Sequence, residues 1–230
     1  MRASRLHEAV QSRLKRCIDL MLAGAGILVT APVLLLAALI VRITMGSPCI
    51  FRQERAGLGG RLFELYKLRT MNELRDDSGK LLPDQQRLTW AGRVIRKTSV
   101  DELPQLWNVL RGDMSMVGPR PLLPKYLPLY TVRQMRRHEV KPGITGWAQI
   151  NGRNALQWEQ KFELDLWYAE NWSLLLDLKI IVLTVPRILK SHGISQPGHE
   201  TMEEFFGSGE YASATISSES EYDGRTPNGI

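Results

Sequence analysis

TSVDELPQLWNVLRGDMSMVGPRP, residues 98–121, sets two adjacent carboxylates, Asp101 and Glu102, directly before an apolar segment that carries Trp107. Arg120 follows between Pro119 and Pro121, whose rings restrict the backbone around it. Most Asp-Glu pairs are solvated charges on a helix surface, so this one gains meaning only from what the rest of the chain can bring to it. Lys67, Arg96, Arg120 and Arg153 lie in four different segments and are the cations available to converge there. Such a set suits a diphosphate, because arginine forks bind phosphoryl oxygens bidentately and lysine acts as a point charge. Asp101 and Glu102 beside phosphates also suit Mg2+, which takes a few protein oxygens and completes its octahedron with water and substrate. A carboxylate can in addition attack phosphorus and form an acyl phosphate, dividing one difficult transfer into two easier ones. The residues alone do not say which carboxylate attacks.

The length of 230 residues suits one ordinary domain with attachments, and the net charge of +6 points to an anionic partner. Cys17 and Cys49 are the only cysteines, which excludes a disulfide scaffold and a thiolate metal centre. The four histidines, His7, His138, His192 and His199, show no metal-ligand spacing. Aromatic residues accompany apolar segments instead of interleaving with a basic sheet, so nucleic acid is not an expected partner.

Leu20–Val41, LMLAGAGILVTAPVLLLAALIV, contains no charge and meets the length of about 20 apolar residues that a membrane helix needs. A cleaved signal peptide fits poorly, because the run starts well inside the chain and no small-residue cleavage site follows it. A buried core helix fits poorly too, since nothing else is apolar enough to surround it. Arg13, Lys15 and Arg16 precede the run, and Arg42, Arg52, Arg55 and Arg61 follow it. The positive-inside rule then keeps both ends on the cytoplasmic side. Pro32, at the midpoint, removes a backbone donor and breaks the helix, with Thr30 close enough to satisfy a freed group. A kinked span and a re-entrant helix both remain open from these residues.

Ile50–Arg55 and Leu62–Lys67 flank a Gly-rich turn and predict a β-hairpin. That turn is no P-loop, because no GK[ST] follows it. ELRDDSGKLLPDQQR is surface loop, and LTWAGRVIRKTSVDELPQLWNVL predicts helical pieces around the carboxylate pair. LLPKYLPLYTVRQMRRH and SLLLDLKIIVLTVPRILK predict amphipathic helices lying in the headgroup plane, with VKPGITGWAQINGRNA as loop between them. From Gly207 onward the composition is that of a disordered tail. The expected organisation is a membrane segment over 1–46, a catalytic domain over 47–206 and a tail over 207–230.

KRCIDL, FELYKLRTM, SVDELPQLWNVLRGDMSMVGPRPLL, KPGITGWAQINGRNA and WSLLLDLKI, in that order, closely resemble the blocks of the bacterial sugar transferases. The likeness is to the small monotopic phosphoglycosyl transferases, of the kind that begin N-linked glycoprotein glycan assembly, and runs from about Leu14 to Gly207. The resemblance implies transfer of a sugar 1-phosphate from a UDP-sugar to polyprenyl phosphate, with release of UMP. It implies Asp101 as the covalent nucleophile, with Glu102 holding Mg2+ or handling protons. Lys67 falls on the lysine of the family's YKxRTM block, and Arg96, Arg120 and Arg153 on family arginines that contact phosphate or nucleotide. Asn151, in the GWAQINGR loop, is implied at the nucleotide, and Asp177, in the late SLxLDLK block, as a supporting residue.

The implied fold is α+β and mostly α: a re-entrant membrane helix, a β-hairpin and interfacial helices around a small catalytic domain. It implies a monotopic enzyme on the cytoplasmic face of the bacterial inner membrane, in contact with its phospholipids. The family's helix breaks at a Ser-Pro pair, where this chain has Ala31-Pro32, which leaves Thr30 to supply the hydroxyl. The closeness to glycoprotein-pathway enzymes favours a UDP-linked N-acetylated hexose such as an acetamido-trideoxy sugar, with UDP-galactose and UDP-N-acetylgalactosamine as alternatives. Two rivals make different predictions. A membrane-anchored scaffold for anionic lipid would not depend on Asp101, and an ordinary glycosyltransferase would release UDP.

Overall fold

A computed structural model describes residues 2–152, 156–189 and 204–208. Arg153 and the tail from residue 209 onward lie outside the described residues. The chain begins with a long helix, α1 (Arg2–Met45), followed by a hairpin of β1 (Ile50–Ala56) and β2 (Leu62–Leu68). Then come α2 (Asp84–Arg87), α3 (Trp90–Lys97), α4 (Gln105–Arg111) and β3 (Ser115–Val117). The last elements are α5 (Val132–Met135), β4 (Gly143–Thr145), α6 (Trp147–Ile150), α7 (Trp158–Asn171) and α8 (Leu174–Leu189). Among the described residues the architecture is mostly helical with two small sheets, one antiparallel (β1–β2) and one parallel (β3–β4).

Helical structure in α1 continues through Pro32, so no loop interrupts the helix where the sequence predicts a break. Proline removes the bond to the carbonyl four residues back, that of Leu28. Thr30 Oγ1 donates to the Gly26 carbonyl at 2.6 Å, one turn behind itself and two residues short of that position. Both arms of α1 pack on the same domain. The first arm sets Ala23 into a cluster with Leu65, Leu106, Val109 and Met114. The second sets Ala37 and Val41 against Leu68 and Ile95. Between them, Leu28, Val29, Val33, Leu35 and Leu36 are exposed.

The polar residues of the KRCIDL block clamp the first arm. Lys15 Nζ bonds Asp177 at 2.5 Å and the Val117 carbonyl at 3.2 Å. Arg16 donates to the Val109 and Leu110 carbonyls, covering the open end of α4. Asp19, 4% exposed, accepts from the Ser115 hydroxyl and the Met116 amide. Lys15 and Arg16, which the sequence marks as membrane-flanking charges, are therefore spent on protein contacts.

The hairpin forms where the sequence predicts it, with Ile50 opposite Leu68 and Ala56 opposite Leu62. Two segments differ from expectation. LLPKYLPLYTVRQMRRH is not one amphipathic helix: Pro124 and Pro128 hold it in a 3-10 turn, Pro124–Leu129, and α5 and a second 3-10 turn follow. VKPGITGWAQINGRNA is not all loop, because Gly143–Thr145 pairs with β3 and Trp147–Ile150 is helical. The strands can meet because glycine faces glycine. A Cβ on Gly143 would stand 2.0 Å from the Gly118 nitrogen, and one on Gly118 would stand 2.2 Å from the Lys141 carbonyl.

Candidate active site

Four elements deliver the site. Thr89 caps α3, accepting from the Gly92 amide at 2.9 Å, and beyond the helix end Ser99 lies in the left-handed region with φ 57°. That reversal feeds a 3-10 turn, Val100–Glu102, which carries the carboxylate pair into the domain before Pro104 opens α4. A non-glycine residue held left-handed costs roughly 1–2 kcal/mol, which the surrounding packing must offset. Strand β2 brings Lys67, α3 brings Arg96, and the loop after β3 brings Arg120.

Glu102 is the electrostatic hub. Its Oε1 accepts from Lys67 Nζ and from Arg120 Nη2, both at 2.7 Å. Burial pushes the Glu102 carboxyl up, but the charges and hydrogen bonds of Arg120 and Lys67 together outweigh it and hold the group well below the usual carboxylate range. Asp101 is in the opposite state. It is 9% exposed, and among the described residues its carboxylate makes no hydrogen bond. Burial and the neighbouring Glu102 charge push it up to about 6, against the pull of Lys67, Arg96 and Arg120. Two adjacent carboxylates are thus driven apart in proton affinity, one fixed as an ion-pair centre and one left bare. Arg96 is aimed by a bond from its Nε to Thr70 Oγ1 at 2.9 Å.

A further set of residues holds this arrangement in place. Asn108, fully buried, accepts from the Tyr66 amide and donates to the Glu64 carbonyl, locking α4 to the strand that carries Lys67. Arg137 Nη2 donates to the Arg120 carbonyl at 2.8 Å and pairs with Asp165 at 2.6 Å. Burial raises the Asp165 carboxyl, and Arg137 opposes that rise. His138 Nδ1 donates to the Gly57 carbonyl at 2.9 Å and ties the hairpin turn to the same segment. Sequence reasoning missed Asn108, Arg137 and Asp165. A polar residue inside an apolar run, as in LWNVL, is the one signal that could have found the first.

Of the residues the sequence nominates, the structure brings Asp101, Glu102, Lys67, Arg96 and Arg120 together. Asp177, expected as a supporting residue, is 6% exposed and accepts from Lys15, from the Tyr168 hydroxyl at 2.6 Å and from Trp172 Nε1 at 3.1 Å. It fastens α1 to α7 and α8. Asn151 is exposed, and its amide donates to the Trp147 carbonyl. No cluster of three or more metal-ligating side chains occurs among the described residues. The bare Asp101 carboxylate and the remaining oxygen of Glu102 form a two-carboxylate donor set, which fits an ion that draws its other ligands from phosphate and water.

Comparison with known proteins gives a consistent result. The sequence profile described as "Bacterial sugar transferase" matches residues 10–191. The chain is 60% identical over 200 residues to the uncharacterized sugar transferase EpsL of Bacillus subtilis, covering 87% of this chain and 99% of that one. It is 43% identical to a UDP-glucose:undecaprenyl-phosphate glucose-1-phosphate transferase of Caulobacter vibrioides, over 76% of this chain and 69% of that one. An Aeromonas hydrophila UDP-N-acetylgalactosamine-undecaprenyl-phosphate N-acetylgalactosaminephosphotransferase is 37% identical, over 83% of this chain and 47% of its own length.

Proposed function

The chain belongs to the bacterial sugar transferase family, and we propose that it moves a sugar 1-phosphate from a UDP-sugar to polyprenyl phosphate and releases UMP. The observation that carries this is the division of labour in the dyad. Glu102 gathers Lys67 and Arg120, while the adjacent Asp101 is left without a hydrogen bond among the described residues. In the first half-reaction an Asp101 oxygen attacks the phosphorus bonded to the sugar oxygen. The bond from that phosphorus to the bridging oxygen breaks, and UMP leaves with the electron pair. In the second, a phosphate oxygen of the lipid attacks the same phosphorus, and the bond to Asp101 breaks. Lys67 and Arg120, fixed by Glu102 before substrate arrives, stabilise charge on the phosphoryl oxygens without reorganising. Bound Mg2+, held by Asp101 and Glu102, would supply further charge neutralisation there.

Membrane attachment follows the same geometry. No residue of α1 between Ala23 and Ala37 is buried, and the 13 residues between these two anchors make about 20 Å of helix. A hydrocarbon core is about 30 Å thick, so a straight span would draw the domain into lipid. A shallow, re-entrant insertion into the cytoplasmic leaflet fits this length, with both arms returning to the domain. The outward residues Trp90 and Val94 on α3, Trp107 on α4, and Leu175, Leu178, Val182 and Val185 on α8 supply apolar surface for phospholipid.

The donor is a UDP-hexose. The name of the Aeromonas relative supports an N-acetylated sugar and that of the Caulobacter relative supports glucose. The test is nucleotide release from UDP-glucose, UDP-N-acetylgalactosamine, UDP-galactose and UDP-diNAc-bacillosamine, with Mg2+ and undecaprenyl phosphate. UMP from one donor supports the proposal and identifies the sugar. UDP release, or none from any donor by folded protein in nanodiscs, contradicts it.

A further inference from the structure

Beside the two cations that Glu102 holds lies a nook of ≈ 20 Å³, lined by Arg55, Leu65, Lys67, Gln105, Arg120 and Pro121. That is room for about one water or one phosphoryl oxygen. Two of its walls carry polar groups that make no hydrogen bond among the described residues. Gln105, the residue after Pro104, is 3% exposed, and among the described residues its side-chain amide makes no hydrogen bond. Arg55 Nε is buried without a partner, its Nη1 reaches the Pro121 carbonyl only at 3.4 Å, and its Nη2 bonds the Gln53 amide oxygen. Buried polar groups are nearly always hydrogen-bonded, so the orphaned Arg55 Nε, with the unbonded Gln105 amide lining the same small space, calls for an occupant.

The chemistry of the walls identifies that occupant. Three cations, Arg55, Lys67 and Arg120, meet there, and the ion pairs among them use one carboxylate, Glu102. Among the described residues no carboxylate forms an ion pair with Arg55. The Arg55 guanidinium is instead lowered to about 10 by burial and by the charge of Arg120 beside it. An oxygen carrying negative charge would satisfy the amide, the free Nε and the excess of positive charge together, whereas a neutral hydroxyl would leave the charge uncompensated.

We infer that Gln105 and Arg55 form a subsite for one non-bridging oxygen of a substrate phosphate, distinct from the contacts that Lys67 and Arg120 make through Glu102. The subsite rests on the phosphoglycosyl transfer reading for its ligand, a phosphate of either the nucleotide or the polyprenyl lipid. Gln105 lines the same nook as Lys67 and Arg120, so its amide donors would bond an oxygen of a phosphate received there and set that phosphate's orientation.

The test uses the full chain in nanodiscs and measures binding without turnover, titrating UMP and, separately, a short-chain polyprenyl phosphate. The variants are Gln105→Met, which keeps volume and removes the amide, Gln105→Glu, which places a carboxylate in the nook, and Arg55→Gln. Hydrogen bonds to charged groups are strong enough that each variant should weaken binding of at least one ligand roughly tenfold or more. The melting temperature should hold for Gln105→Met, since the amide makes no hydrogen bond among the described residues. Weaker UMP binding alone assigns the donor phosphate, weaker lipid binding alone assigns the acceptor, and loss of both means one seat used in turn. Binding within twofold of wild type for both ligands would overturn the subsite and leave the nook to water. A large fall in melting temperature in both Gln105 variants would overturn it too, by making Gln105 a folding residue. Failure of wild-type turnover with binding intact would remove the proposed reaction and leave the subsite standing.

Discussion

Replacing Arg137 with methionine separates stability from catalytic positioning in one experiment. The side chains of Arg137 and Asp165 are 2% and 6% exposed, and the pair is closed by contacts at 2.6 and 3.1 Å. Removing one member of such a pair leaves a buried charge without compensation, at a cost of roughly 3–5 kcal/mol. Asp165 is already pushed towards its neutral form by burial, so it can take up a proton when the cation goes, which draws the cost towards the lower end. For a domain of this size each kcal/mol lowers the melting temperature by roughly 2–4 °C, so a fall of roughly 6–12 °C is expected.

Arg137→Met/Asp165→Leu removes both charges and should recover most of that loss, because apolar replacements of buried ion pairs are often neutral or better. Turnover should not recover with it. The Arg120 carbonyl still lacks the donor that Arg137 supplied, so the Arg120 side chain is held less firmly against Glu102. Thermal melts in detergent and steady-state turnover in nanodiscs read the two effects independently. A single variant that melts within about 2 °C of wild type, or a double variant with full turnover, would refute this reasoning.

Asp177→Asn strips the charge opposite Lys15 and should lower the melting temperature while leaving KM for donor and lipid unchanged; a selective rise in either KM would instead place Asp177 at the substrate. His138 is lowered to about 4 by burial and by the nearby Arg137 charge, so the fold favours its neutral ring. That contribution is full above pH 6.5, and it is lost as the pH falls from there towards 4, because the unfolded chain then binds the extra proton. His138→Leu should flatten the acid slope of stability over that window, and an unchanged slope would exclude His138 as its source. Cys17 and Cys49 lie on either side of the apolar run. A membrane-impermeant thiol reagent should modify both from the cytoplasmic side of inverted vesicles, whereas a spanning helix would leave one protected until the membrane is permeabilised.

The parts legible in the sequence were those with local signals. The hairpin announced itself through apolar runs around glycines, the membrane segment through its uncharged run, and the dyad through its company of cations. What escaped depends on contacts between distant segments. Nothing in KRCIDL says that Lys15 will reach Asp177, 162 positions away, or that Arg16 will close the end of α4. The parallel pairing of β3 with β4 rests on two three-residue strands too short to show a period, and on glycines whose close approach appears only when the backbones meet. Arg137 looked like one more basic residue at the end of an amphipathic helix. Its burial against Asp165 follows from the prolines that fold that segment into turns.

The central claim is that Asp101 carries the phosphosugar between two half-reactions. The most direct measurement mixes enzyme with the productive UDP-sugar and no polyprenyl phosphate, quantifies UMP in the first turnover, and maps the trapped adduct by mass spectrometry. The account predicts UMP approaching one equivalent per enzyme, a phosphosugar on the peptide containing Asp101, and neither from Asp101→Asn that still binds the membrane. UMP that appears only once lipid acceptor is added, with no adduct on Asp101, would contradict it.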